Sequence, residues 1–145
     1  MRPKSRRSWT KQSIPDLNLA TEFLDRNPRP KNAILTPDKT LTYGEVADMV
    51  NRAGNGLLAL GVSPGDRVLL LLPDSPEFVA AWFGAIKIGA VAVPTNTSLR
   101  TGDYAHFFQK SQAAVALCHA SLYSQIAPVT GSAVAIVTGE PIQEC

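Results

Sequence analysis

Cysteine is scarce: Cys118 and Cys145 are the only two in 145 residues, which excludes a disulfide framework. Long hydrophobic runs are missing as well. The longest apolar stretch, Val79 to Val93, is interrupted by Lys87 and falls short of the roughly 18–20 residues that a spanning helix requires. Neither sign of charge dominates, since 14 Lys and Arg face 12 Asp and Glu, for a formal net charge of +2. With 45% hydrophobic and 18% charged residues, the composition excludes intrinsic disorder over most of the chain. What these absences leave is a globular chain of one-domain size. It is expected to be soluble and cytoplasmic, with no membrane partner.

The charge is unevenly placed. Arg2, Lys4, Arg6, Arg7 and Lys11 stand in the first eleven residues without an acid among them. Removing those five leaves nine basic and twelve acidic residues, so residues 12–145 carry about −3. Residues 1–16 therefore read as a basic leader. From Ser8 to Gln12 only Trp9 is apolar, so the pattern is not that of a secretory signal. Clustered Lys and Arg suit phosphates, but a solvated tail is the simpler reading, and nucleic acid is not the expected partner.

From residue 17 the pattern alternates. Leu19, Phe23 and Leu24 at helical spacing predict a short helix over 18–26, closed by Pro28 and Pro30. Residues 33–36 and 39–42 read as a hairpin across Pro37 and Asp38. Thr42-Tyr43-Gly44-Glu45 has the form of a capping box. Val46, Val50, Ala53, Leu57 and Leu60 then recur at intervals of four, three, four and three, which predicts an amphipathic helix stopped by Gly61.

After the turn Ser63-Pro64-Gly65-Asp66, the run Arg67 to Leu72 has no polar alternation and predicts a strand covered on both faces. Ser75-Pro76-Glu77 opens a helix to Ile88 that is apolar nearly all round and so expected to be buried. Strands over 90–94, 114–117 and 133–137 and helices over 101–110 and 121–126 complete the pattern. Repeated strand–helix–strand units imply right-handed crossovers. The fold class is therefore α/β, a mainly parallel sheet with flanking helices.

Several motifs resemble chemistry and lack its context. Gly54-Asn55-Gly56-Leu57-Leu58-Ala59 matches a dinucleotide fingerprint but lies inside a helix instead of opening one. Small residues that let this helix approach the sheet explain it better. Gly84 and Gly89 have phosphate-loop spacing, yet Ala90-Val91 stand where Lys and Ser or Thr belong. Cys118-His119 could suggest a nucleophile and base, or with His106 a zinc site. Neighbours in a strand point apart, and the spacing matches no closed zinc site. Trp82 and Phe83 are expected in the core. No catalytic or metal-binding residue is assigned.

One loop stands out by position. In open parallel sheets ligands gather beyond the carboxyl ends of the strands. Thr95 to Thr101 leaves such an end and carries Arg100, whose guanidinium suits a phosphate.

Three stretches together resemble the opening of the adenylate-forming (AMP-binding) enzymes, a superfamily of acyl- and aryl-CoA ligases, luciferases and peptide-synthetase adenylation domains. They are Leu41-Thr42-Tyr43-Gly44-Glu45, Gly65-Asp66-Arg67-Val68, and Ala85 through Pro94, which reads AIKIGAVAVP. The first matches the family's capped L-T-Y-x-E helix start, and the last its K-x-G-A-x-x-x-P turn from helix to strand. Phe23 to Asn27, Val50 to Asn55 and Asp74 to Phe78 look most like benzoate-CoA and related aryl-CoA ligases.

The resemblance implies a two-step reaction with ATP, Mg2+ and coenzyme A: a carboxylate forms an acyl-adenylate, and the thiol of coenzyme A then displaces AMP. It also implies that the phosphate loop, the metal-binding acids, the acyl pocket and the mobile carboxyl-terminal domain lie beyond residue 145. Residues 17–145 are therefore expected to be the incomplete amino-terminal part of the large domain of a ligase for an aromatic acid such as benzoate, inactive alone and partnered by the rest of the ligase. Arg100 is then a candidate contact for the phosphates of coenzyme A. The alternatives are a non-catalytic interaction module on the same scaffold, or another superfamily member such as an acyl-CoA synthetase or an adenylation domain. Val134, Ile136 and Val137 near the terminus favour an unfinished sheet over a complete module.

Overall fold

The computed structural model describes residues 17–131 and 133–138. The basic leader and the stretch after 138 lie outside the described residues, as do the side chains of Val134, Ile136 and Val137.

The chain opens with a wide helical turn, Thr21–Asp25. Asn18 ties it down by donating from Nδ2 to the carbonyls of Ile86 (3.0 Å) and Lys87 (3.2 Å), while Lys87 pairs with Asp25 at 2.9 Å. These contacts satisfy carbonyls that a helix end would otherwise leave orphaned. The hairpin follows, β1 (Asn32–Leu35) antiparallel to β2 (Thr40–Thr42).

Helix α1 (Tyr43–Ala59) starts at the expected capping box. Glu45 N–H donates to Thr42 Oγ1 (3.3 Å), and Thr42 N–H donates to Glu45 Oε2 (2.8 Å). Thr42→Ala should cost about 0.5–2 kcal/mol, in the range of lost N-caps, read as a lower denaturation midpoint at constant m. The bond from the Thr42 backbone, and then that from its hydroxyl, holds the Glu45 carboxyl below its ordinary value of 4.5. Folding thus favours the carboxylate. The box contributes fully above that ordinary value and fades as pH falls through the lower folded-state value. Glu45→Gln should flatten this part of the acid limb of a stability–pH curve.

Gly61 ends the helix at φ +84°, where an L side chain would be strained. Then come β3 (Arg67–Leu71), α2 (Pro76–Lys87), β4 (Val91–Pro94), α3 (Thr101–Ser111), β5 (Val115–His119), the short α4 (Tyr123–Ile126) between two 3-10 turns, and β6 (Val134–Thr138). Strands β3 to β6 form one sheet in the order β4-β3-β5-β6, every pair parallel. The expected α/β architecture is present.

Strand β3 is covered on both faces, as its sequence predicts. Val68, Leu70 and Leu72 pack with Leu57, Ala81 and Ala85 on one face. Leu69 and Leu71 meet Tyr104, Phe108 and Ile126 on the other. Such all-round burial is the main stabilising term of a central strand.

Helix α2 corrects two expectations. Its buried residues are the small ones, Ala80, Ala81, Gly84 and Ala85, with Pro76, whereas Trp82 is 36% exposed and Phe83 is half-buried. The cause is the close crossing of α1. A Cβ on Gly84 would stand 2.9 Å from Ala53 Cβ and from Gly54 N, so only small side chains fit and the aromatic rings are displaced to the flanks. Trp82 stacks there between Phe78 (6.4 Å) and Phe83 (5.1 Å). The same crossing explains Gly54, which makes room for α2 and not, as expected, for the sheet. Leu60 also departs from its predicted stripe and is 43% exposed.

Candidate functional site

Because β3, β4 and β5 are parallel, their carboxyl ends open on one side, and the three connections leaving them line a crevice. Leu72, Pro73 and Asp74 follow β3, and Thr95, Asn96 and Thr97 follow β4. With Pro94 and Phe78 these residues enclose about 440 Å³. A second hollow of about 340 Å³ shares Pro73 and Thr97 and adds His119, Ser121 and Leu122.

The loop after β4 is pinned from within. Thr95 N–H donates to the Leu70 carbonyl (2.9 Å), extending the β3–β4 ladder by one bond. Asn96 Oδ1 accepts from Ser98 N–H at 2.8 Å, an Asx turn. Tyr104, fully buried, donates its hydroxyl to the Asn96 carbonyl (3.2 Å) and accepts from Leu99 N–H (3.3 Å). The sequence reading missed Tyr104. The available signal was a tyrosine on the inner face of a short helix, since a buried phenol needs a partner and the loop just before the helix is within reach.

Arg100 stands where the sequence places it, at the start of α3, with its backbone N–H donating to Asp103 Oδ2 at 3.2 Å. It is exposed. Its guanidinium forms none of the ion pairs among the described residues, and it stands outside the lining of both hollows.

His119 closes the crevice on the β5 side. Its Nδ1 lies 2.9 Å from Ser121 Oγ and accepts from Ser121 N–H at 3.3 Å. That ring nitrogen therefore acts as a helix cap. Cys118 is buried among Tyr104, Phe108 and Leu122, and burial pushes its thiol up to about 11, the opposite of what a nucleophile needs. His106 is exposed on α3, edge-on to Phe107. These three residues are held by three separate environments and do not form one site. Among the described residues no group of three or more His, Cys, Asp or Glu is arranged to hold a metal ion. No described helix is long and apolar enough to cross a membrane.

Residues 21–144 match the family described as AMP-binding enzyme. The chain belongs to that family. Over 98 residues it is 44% identical to the 3-hydroxybenzoate–CoA ligase of Aromatoleum sp. (strain CIB), a match covering 66% of this chain and 19% of the relative. It superposes on an anthranilate CoA ligase, AuaEII, solved with anthranoyl-AMP, at TM-score 0.78 and 35% identity over 83% of this chain and 25% of that one. For a benzoate CoA ligase from Burkholderia xenovorans LB400 the values are 0.77 and 28%, over 87% and 26%. The chain thus spans about a fifth of the length of the curated relative it matches.

Whether such a stretch can hold the family's ligands is readable from its donors. The crevice offers hydroxyls, an amide, one carboxylate and the His119 imidazole, and no Lys or Arg lines it. For ATP and magnesium the described residues do not fit, since they include neither a lysine-bearing glycine loop nor a cluster of acids.

Proposed function

We propose that this chain is the amino-terminal part of the large domain of an ATP-dependent aryl-CoA ligase acting on an aromatic acid of the benzoate class. Within it the chain supplies scaffold: a parallel sheet with both faces filled, and a rigid crevice at the end of that sheet. The 44% identity to a 3-hydroxybenzoate–CoA ligase carries the reading.

In this role the crevice faces the neutral arm of coenzyme A. Arg100, exposed just outside it, meets the phosphates of the same molecule. Tyr104 acts as a positioning residue by fixing the loop between them. Adenylation belongs to groups elsewhere in the ligase, because in-line attack on a phosphate requires cations and backbone donors arrayed around it. In this reading no described residue of the chain is catalytic.

The expected result is that the purified 145-residue chain shows no carboxylate-dependent ATP–pyrophosphate exchange with benzoate or 3-hydroxybenzoate in the presence of Mg2+. Exchange well above a no-enzyme control would overturn the assignment of the chemistry to other residues.

A further inference from the structure

Arg67 opens β3 at the amino end of the sheet and is half-buried. It holds the turn that leaves α3 in two ways. Its Nε donates to the carbonyl of Ser111 at 2.7 Å, and its own carbonyl accepts from Ala114 N–H at 2.9 Å. Ser111 is the last residue of α3, so its carbonyl has no intrahelical partner. A guanidinium there also faces the negative end of the helix dipole. Gln112, between the two bonds, turns the chain at φ +48°. Ser111 Oγ is buried with no hydrogen-bond partner among the described residues, so the hydroxyl adds no anchor. Arg67 supplies the side-chain bond from the sheet to this end of the helix.

The other end of α3 holds the crevice loop. Tyr104 bonds to Asn96 and Leu99 at 3.2 and 3.3 Å. Both bonds are long, so a slide of α3 away from the loop by about 0.4 Å would part them. Seven residues, about 10 Å of helix, separate Tyr104 from Ser111. Between these ends α3 rests on the sheet through apolar contacts of Tyr104 and Phe108 with Leu69 and Leu71. Such contacts keep the helix down but are not directional. A short hydrogen bond from a charged donor is.

We propose that Arg67 is a positioning residue for the loop after β4. It sets the axial position of α3 from the amino end of the sheet, and Tyr104 passes that position to the crevice at the carboxyl end. The inference rests on the ligase reading above for what the loop meets, coenzyme A.

Amide hydrogen exchange of the full chain, with no ligand added, reads the loop through Leu99 N–H. Arg67→Met keeps an apolar stem and removes the donor, whereas Arg67→Lys keeps a charged donor. Circular dichroism confirms that each variant folds, and Arg67→Gln takes the place of Arg67→Met if the latter does not. The expected result is exchange at Leu99 about tenfold faster in Arg67→Met, well beyond any change at the amides of Val68 to Leu71, because the loop opens locally. Arg67→Lys should restore most of the protection. Tyr104→Phe should speed Leu99 at least as much as Arg67→Met, and the double variant should stay within about twofold of Tyr104→Phe, because the two side chains act in series. A general loss of stability would instead speed the sheet amides as much as Leu99.

Unchanged exchange at Leu99, an equal rise at Leu99 and in β3, or fully multiplicative effects in the double variant would overturn the inference and leave the ligase reading standing. The second readout uses residues 17–138 grafted into the Aromatoleum 3-hydroxybenzoate–CoA ligase. There Arg67→Met should raise the KM for coenzyme A several-fold with kcat held within about twofold, the split expected of lost ground-state positioning, and Arg67→Lys should reverse it. An unchanged KM alongside faster exchange at Leu99 would overturn the role in meeting the ligand. A folded graft without substitutions that forms no thioester would overturn the ligase reading instead, and the exchange data would still decide the link through α3.

Discussion

Alanine at Gly84 should destabilise the chain by about 1–3 kcal/mol, the usual cost of overpacking, whereas alanine at Gly56 should stabilise it by about 0.5–1 kcal/mol. Both glycines sit inside helices that cross each other, and both changes add one methyl group. At Gly84 the new carbon would lie 2.9 Å from Ala53 Cβ and from Gly54 N, and 3.1 Å from the Val50 carbonyl oxygen. None of these atoms is the free end of a flexible side chain, so the helices themselves must separate. That separation would loosen Ala81 and Ala85 from Leu70 and Leu57, which outweighs the gain in helix propensity. At Gly56 the carbon meets open space, and only the propensity term remains. Denaturant midpoints at constant m decide the signs. A neutral or stabilising Gly84→Ala would show that α1 and α2 are not in close contact.

Much of this fold was legible because its local signals agree with its tertiary ones. Thr42 and Glu45 announced the start of α1, and the uninterrupted Val68-Leu69-Leu70-Leu71 announced a strand buried on both faces. Alternation of strands and helices gave the parallel sheet through the handedness of crossovers. What was misread depends on pairing between distant segments. The apolar circumference of α2 suggested full burial, but Gly84 and Gly54 lie thirty residues apart, and nothing local says that they touch. Their contact decides that Trp82 faces outward.

The crevice shows the same division. The topological rule placed the loop after β4 at a ligand-binding end of the sheet and brought Arg100 forward. It could not show that Tyr104 reaches back to hold Asn96 and Leu99, because that contact requires the helix to turn its inner face toward the loop. His119 was assigned no catalytic or metal role. The structure gives it a capping role, fixed by where β5 ends.

In a grafted ligase, Arg100→Ala should raise the KM for coenzyme A several-fold while leaving kcat close to that of the unmodified graft, because a phosphate contact remote from the reacting thiol binds ground state and transition state alike. Tyr104→Phe should move the same parameter less, since it removes two bonds that position the loop and no contact with the ligand.

The graft itself is the most direct measurement. Residues 17–138 of this chain replace the matching region of the Aromatoleum 3-hydroxybenzoate–CoA ligase, and formation of 3-hydroxybenzoyl-CoA is followed. The expected product is a folded enzyme within about tenfold of the parent, equivalent to about 1.4 kcal/mol of transition-state stabilisation, that keeps the acid preference of the parent. A soluble, cooperatively folded graft that forms no thioester would contradict the view that this chain supplies the framework of such a ligase.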